Sequence, residues 1–276
     1  MIEINPLSGA LGAEITGVNL ASGVDDQTFG ELHSALGEYG VLFFRKQPLT
    51  EEQHVEFASR WGDINVNRFF ATSNGNPHIA EIRKEADHET NIGSVWHTDH
   101  SYDEIPALGS ILLARDVPQV GGDTLYASMY RAYETLSPGL KATLETLRAE
   151  HSSRHVFGVL PAGKPGEGVR VGNPELATQD AVHPVVIRHP ISGRKALYVN
   201  PQFTLQIEGW TPEESEPLLR YLYQHGSRPE FTCRIRWERD SLAIWDNRAT
   251  WHCALDDYPG ERRLMHRITI DGVPLG

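Results

Sequence analysis

The sequence predicts a mixed α+β fold around an antiparallel barrel or sandwich. Three observations lead there. Short runs of period-2 alternation recur along the 276-residue chain, each bounded by Gly, Pro, Asn or Asp, which is the pattern of half-buried strands. Most of these runs stand too close together for the helical crossovers that parallel strands need. Helix signals are fewer, and several carry their own start signal.

In chain order, strands are expected at "AEITGV" near residue 15, "GVLFFR" (40–45), "HIAEIR" (78–83) and "GSILLARDV" (109–117). More follow at "VVIRHP" (185–190), "KALYVN" (195–200), "FTCRIRW" (231–237), "SLAIW" (241–245) and "RLMHRITI" (263–270). A first helix over residues 26–38 follows an Asp cap and puts Phe29, Leu32 and Leu36 on one face. A second, over 50–61, opens on Thr50-x-x-Gln53, a capping-box pattern. Ser137-Pro138 starts a third, with Ser as cap and Pro in the first turn. Thr211-Pro212-Glu213-Glu214 starts a fourth, over 212–225. Gly121-Gly122 fits a tight hairpin turn. Residues 158–180 are rich in Gly, Pro and polar side chains, and such a stretch reads as a lid, a disordered insert or a plain surface loop.

Composition bounds the function. The chain is 39% hydrophobic and 22% charged, so it can bury an ample core. A net charge of -12 repels phosphate backbones, which disfavours nucleic acid as a partner. Two cysteines, Cys233 and Cys253, are too few for a disulfide framework. The longest apolar run, "YGVLFF", is too short to span a bilayer, and the first residues show no signal peptide. The expectation is a cytoplasmic protein with no membrane partner.

"SVWHTDHSYDE" (94–104) is the first candidate site. On a strand, His97 and Asp99 would share a face. A lone His-x-Asp pair is more often two polar residues on a wet surface, so a third group is needed. His252 supplies one. It lies in a short strand after an Asp-Asn-Arg turn, flanked by two further strands. Two imidazoles and a carboxylate on one face of a metal leave three positions open and suit Fe(II) and oxygen chemistry. A closed structural zinc site would want four ligands, often thiolates. On the last strand, Arg263 and Arg267 share a face about 13 Å apart. They are either solvated or converge on anions inside a polar cavity. Thr124 is a further candidate donor to the same carboxylate as Arg263.

In this order, these stretches resemble the Fe(II)- and 2-oxoglutarate-dependent dioxygenases of the taurine dioxygenase and 2,4-dichlorophenoxyacetate dioxygenase family. The resemblance covers almost the whole chain. "LGAEITGVNL", "WHTDHSY", "VPQVGGDTLYASM", "HPVVIRHPISGRKALYVN", "IWDNRATWHC" and "RRLMHRIT" carry it. It implies a double-stranded β-helix (jelly-roll) core with flanking helices, in a single domain over residues 1–276. His97, Asp99 and His252 match the catalytic iron ligands. Thr124 and Arg263 match the residues that hold the distal carboxylate of 2-oxoglutarate. Arg267 matches an arginine that meets the substrate's sulfonate in taurine dioxygenase, and Phe157 and Phe203 match aromatic pocket walls.

Departures bear on the substrate. Asn67 and Phe70 stand where taurine dioxygenase has a histidine and a tyrosine on the sulfonate. Gly93 stands where it has an asparagine. Several stretches look closer to the (R)-phenoxypropionate (aryloxyalkanoate) dioxygenases, yet a tyrosine of theirs falls at Phe203. The implied reaction couples dioxygen and 2-oxoglutarate to hydroxylation of a small anionic substrate, a carboxylate or sulfonate with an aryl or alkyl body. Succinate and CO2 are released, and a hydroxyl placed beside a heteroatom breaks a C–O or C–S bond. Asp99 favours hydroxylation over halogenation, since a non-ligating residue there would admit halide. Family habit implies a homo-oligomer. The alternatives are taurine dioxygenase proper, a zinc-type hydrolase on the same triad, and a binding module without catalysis.

Overall fold

The computed structural model describes residues 2–158 and 172–275. Among them, the strands form one large and three small sheets. The nine-stranded sheet runs in the order Glu3–Pro6, Ala13–Thr16, Val41–Phe44, Leu242–Asp246, Gly109–Asp116, Arg263–Ile270, Asn76–Lys84 and Thr72–Ser73, with Ile64–Asn65 pairing off Arg263–Ile270. Its pairs are antiparallel except Ala13–Thr16 with Val41–Phe44. A three-stranded sheet orders Thr232–Ile235, Thr124–Ser128 and Thr250–Ala254.

Side-chain alternation explains how these sheets stack. Leu42 and Phe44 join one core with Ile111, Leu113, Ile244 and Ile268 from neighbouring strands, and Leu32, Leu36 and Phe57 from the helices Asp26–Tyr39 and Glu51–Ser59 cover it. Val41 and Phe43 point the other way. They meet Leu112, Ala243, Trp245 and Met265 of the large sheet and Tyr126, Cys233 and Ile235 of the three-stranded one. Helices thus cover one face of the large sheet, and the small sheet packs on the other. The far side of the small sheet is closed by Tyr130, Leu219 and Leu222, which pack with Ala127 and Trp251.

The four expected helices start where their caps stand. Asp25 accepts from Thr28 N–H, and Thr50 and Gln53 cap each other reciprocally. Ser137 caps Pro138–Leu144, and Thr211 with Glu214 boxes Pro212–Gly226. The first helix stops at Gly40, whose φ of 71° is left-handed.

One local expectation is corrected, and one lies mostly outside the described residues. Gly121-Gly122 does not turn a hairpin: the strands before and after it, Gly109–Asp116 and Thr124–Ser128, belong to different sheets. Both glycines have positive φ, and Gly122 N–H donates to Asp257 Oδ1 at 2.7 Å. A Cβ on Gly121 would come within 2.6 Å of the Asp257 carbonyl oxygen, so close backbone approach demands glycine there. Second, most of the stretch read as a lid, 158–180, lies outside the described residues. Of its ends, Gly158 closes a short helix, Arg154–Phe157, and Gly172 N–H donates to Phe69 C=O at 2.7 Å.

Candidate active site

His97 and His252 come together through the backbone. They form one antiparallel bridge, with His97 N–H donating to His252 C=O at 3.1 Å and His252 N–H to His97 C=O at 2.8 Å. Their ring centroids are 4.0 Å apart. The strand expected through Asp99 is only this one bridge. Beyond it the chain turns at Asp99 and His100, whose φ is 59°. The Asp103 carboxylate holds that turn, 2.8 Å from His100 Nδ1 and 2.7 Å from Arg68 Nη2. A turn rather than strand alternation therefore brings Asp99 to the imidazoles. Its two oxygens lie 3.8 Å from His97 Nε2 and 3.8 Å from His252 Nε2.

The ligand atoms of the three residues lie within 4.8 Å of one another. His97 Nδ1 donates to Val95 C=O at 2.7 Å, which leaves Nε2 as a lone pair facing the site. Burial lowers the pKa of both imidazoles, so they are neutral and able to ligate. Burial opposes ionisation of Asp99, but the Arg267 guanidinium outweighs it and holds the carboxyl below its usual range. Two neutral imidazoles and a carboxylate, converging on one side, fit Fe(II) with open positions.

The triad opens on a cavity. At one end stand Thr124 and Arg263. Arg263 is buried; its Nε donates to Gly122 C=O at 3.1 Å, and its Nη2 has no hydrogen-bond partner among the described residues. Thr124 Oγ1 accepts from Trp237 Nε1 at 2.9 Å, leaving its own proton free to donate. A buried guanidinium with an unused N–H demands an anion, as the distal carboxylate of 2-oxoglutarate would be. Arg267 reaches the cavity from the same strand face, with Nη1 3.3 Å from each Asp99 oxygen and its Nε unpartnered among the described residues. Phe70 lies against its guanidinium at 4.8 Å.

The other candidate positions divide. Phe70, Gly93, Phe157 and Phe203 line the cavity. Gly93 has a φ of 83°, and a Cβ there would sit 3.2 Å from His97 Cε1. Asn67 is corrected: it is absent from the lining, and its Oδ1 accepts from Phe69 and Phe70 N–H, which makes it a turn residue. Sequence reasoning missed Ile82, Ile92, Tyr102, Gln202 and Tyr126 on the cavity wall. Of these, Tyr126 carried a signal: it follows Thr124 by two positions on one strand.

A fold of stacked antiparallel sheets holding a His/Asp/His triad beside a buried anion-seeking arginine defines a non-haem Fe(II)- and 2-oxoglutarate-dependent dioxygenase. Comparison with known proteins places it further. The family model "Taurine catabolism dioxygenase TauD, TfdA family" matches residues 3–269, and the chain belongs to that family. The chain is 35% identical to an alpha-ketoglutarate-dependent sulfate ester dioxygenase of Pseudomonas putida, covering 100% of this chain and 91% of the relative. It is also 35% identical to the (S)-phenoxypropionate/alpha-ketoglutarate-dioxygenase of Sphingobium herbicidovorans, covering 99% and 96%. A solved taurine dioxygenase from Burkholderia xenovorans superposes with a TM-score of 0.81 at 37% identity, covering 98% of this chain and 91% of that one. The cofactor and co-substrates are Fe(II), 2-oxoglutarate and dioxygen. The zinc hydrolase and the non-catalytic module fall away.

Proposed function

We propose that the enzyme oxidises a small organic anion with an aryl or alkyl body, at a carbon beside the heteroatom or acid group. Where the new hydroxyl shares its carbon with the heteroatom, the C–O or C–S bond then breaks. One observation carries this reading: beside Arg263, which is assigned to the co-substrate, Arg267 is the remaining cation on a cavity wall that includes the apolar Phe70, Ile82, Leu112, Phe157 and Phe203. A concave apolar site with one placed charge favours an anion with a hydrophobic body. The relatives named for sulfate esters and for phenoxypropionate support it, since both substrates join an anionic group to an organic body through C–O bonds.

In this reading, His97, Asp99 and His252 hold the metal. Thr124 and Arg263 hold the distal carboxylate of 2-oxoglutarate, and Arg267 orients the substrate anion. Bound Fe(II) and 2-oxoglutarate supply the oxidation of a C–H bond by dioxygen, with succinate and CO2 released. Phe157 stacks on Phe69 at 4.2 Å and approaches Phe203 at 5.9 Å, an aromatic roof that keeps water from the reacting carbon. Taurine fits poorly, because its ammonium would be desolvated against these walls without a partner.

The sheet stacking supports a double-stranded β-helix core in a single domain over residues 1–276. Among the described residues no helix is long and apolar enough to cross a membrane. A cytoplasmic homo-oligomer is the accompanying expectation, tested by sedimentation and fractionation. The substrate class is tested by succinate release across sulfonates, sulfate esters and aryloxyalkanoates. Neutral aryl and alkyl ethers are run beside them, and turnover confined to these would refute it.

A further inference from the structure

We propose that the hydroxyl of Tyr126 is a third donor to the distal carboxylate of 2-oxoglutarate, beside Thr124 and Arg263. This rests on the reading of that end of the cavity as the co-substrate's site.

Position comes first. Thr124 and Tyr126 are two apart on the strand Thr124–Ser128, so their side chains leave the sheet on one face. Both line the cavity, as does Arg263. The same strand pairs with Thr250–Ala254 in a register that sets Tyr126 opposite His252 and Thr124 opposite Ala254. The Tyr126 ring lies 6.1 Å from that of His252, at 27° to it. Tyr126 therefore stands level with the metal ligand His252 and two residues from Thr124 on the same strand face.

Satisfaction comes second. Tyr126 is 0% exposed, and its hydroxyl has no hydrogen-bond partner among the described residues. An orphaned buried hydroxyl is costly. Two buried donors of one cavity, this O–H and Arg263 Nη2, are both unused. A carboxylate offers about four acceptor positions, enough for Thr124, Arg263 and Tyr126 together. Burial pushes the phenol's pKa well above its ordinary value, so it remains a neutral donor.

Tyr126→Phe isolates the hydroxyl, because it keeps the ring and its packing. The unliganded variant is expected to melt at the same temperature or higher, since an unpaired buried group is gone. Its stabilisation by 2-oxoglutarate, measured without oxygen on Mn(II)-loaded protein, is expected to shrink. Calorimetric affinity for 2-oxoglutarate should fall about tenfold, as for loss of one hydrogen bond to a charged group. Affinity for 2-oxovalerate, which lacks the distal carboxylate, should not change between the two proteins. Equal 2-oxoglutarate affinity in the two proteins would overturn the proposal. An equal loss for 2-oxovalerate would overturn the assignment to the distal carboxylate. Arg263→Ala serves as the control: if it binds 2-oxoglutarate like the wild type, the reading of the whole cavity end fails instead.

Discussion

Arg267 lies 3.3 Å from both carboxylate oxygens of Asp99, inside the cavity and almost wholly buried. One guanidinium thus touches a metal ligand while its Nε remains available to another anion. The cation proposed to recognise substrate is held against the triad, which would make recognition and chemistry close neighbours. Arg267→Ala should raise the substrate KM at least tenfold, a loss of about 1.4 kcal/mol or more. Its affinity for 2-oxoglutarate should stay near normal. Steady-state kinetics with each substrate varied in turn check both parts. Arg267→Lys should rescue only partly, because an ammonium cannot serve two anions with a planar fork.

Asp99→Ala should abolish oxygenation. It removes one of three metal ligands and leaves Arg267 a buried cation without its partner. Iron content and succinate release measure the effect; near-normal turnover would contradict the triad.

Arg263→Ala should chiefly weaken 2-oxoglutarate. Removing one partner of a buried charge pair costs roughly 2–5 kcal/mol of binding. A titration of 2-oxoglutarate at saturating substrate checks this, and an unchanged apparent affinity would exclude Arg263 as the partner.

Stability should fall as pH drops from neutrality, before most carboxylates titrate. His54 and His151 are buried and neutral, and burial depresses each to about 3. Unfolded histidines take up protons near pH 6.5, whereas these two in the fold do not until about 3. The unfolded chain then binds more protons, so stability is full above about 6.5 and is lost progressively as pH falls. Denaturant melts at pH 7.5 and 5 should show the loss, and His54→Leu should reduce the difference between them. A difference equal to that of the wild type would remove His54 from the account.

Much of this was legible in the sequence, and the gaps have physical causes. Period-2 alternation located the strand of Arg263 and Arg267, and the Asp-Asn-Arg turn the short strand of His252, because strand faces and turns are local properties. His97 and Asp99 were found by residue type, but their local structure was misjudged: the turn at His100 depends on Asp103 and Arg68, a contact that alternation does not encode. Gly121-Gly122 suited a hairpin by composition, while its real constraint is Asp257, which is far away in sequence. Asn67 was placed by its position in a motif, yet Asn readily bonds nearby backbone and here it does so. Tyr126 was overlooked since an aromatic on a buried strand is ordinarily core. Only the unsatisfied hydroxyl sets it apart, and that is a tertiary fact.

The substrate pocket is tested most directly by kcat/KM for three compounds side by side: taurine, an aryloxyalkanoate and an alkyl sulfonate. Walls of Phe70, Phe157 and Phe203 around the Arg267 guanidinium predict that taurine is the poorest of the three. Taurine as the best substrate would contradict the account.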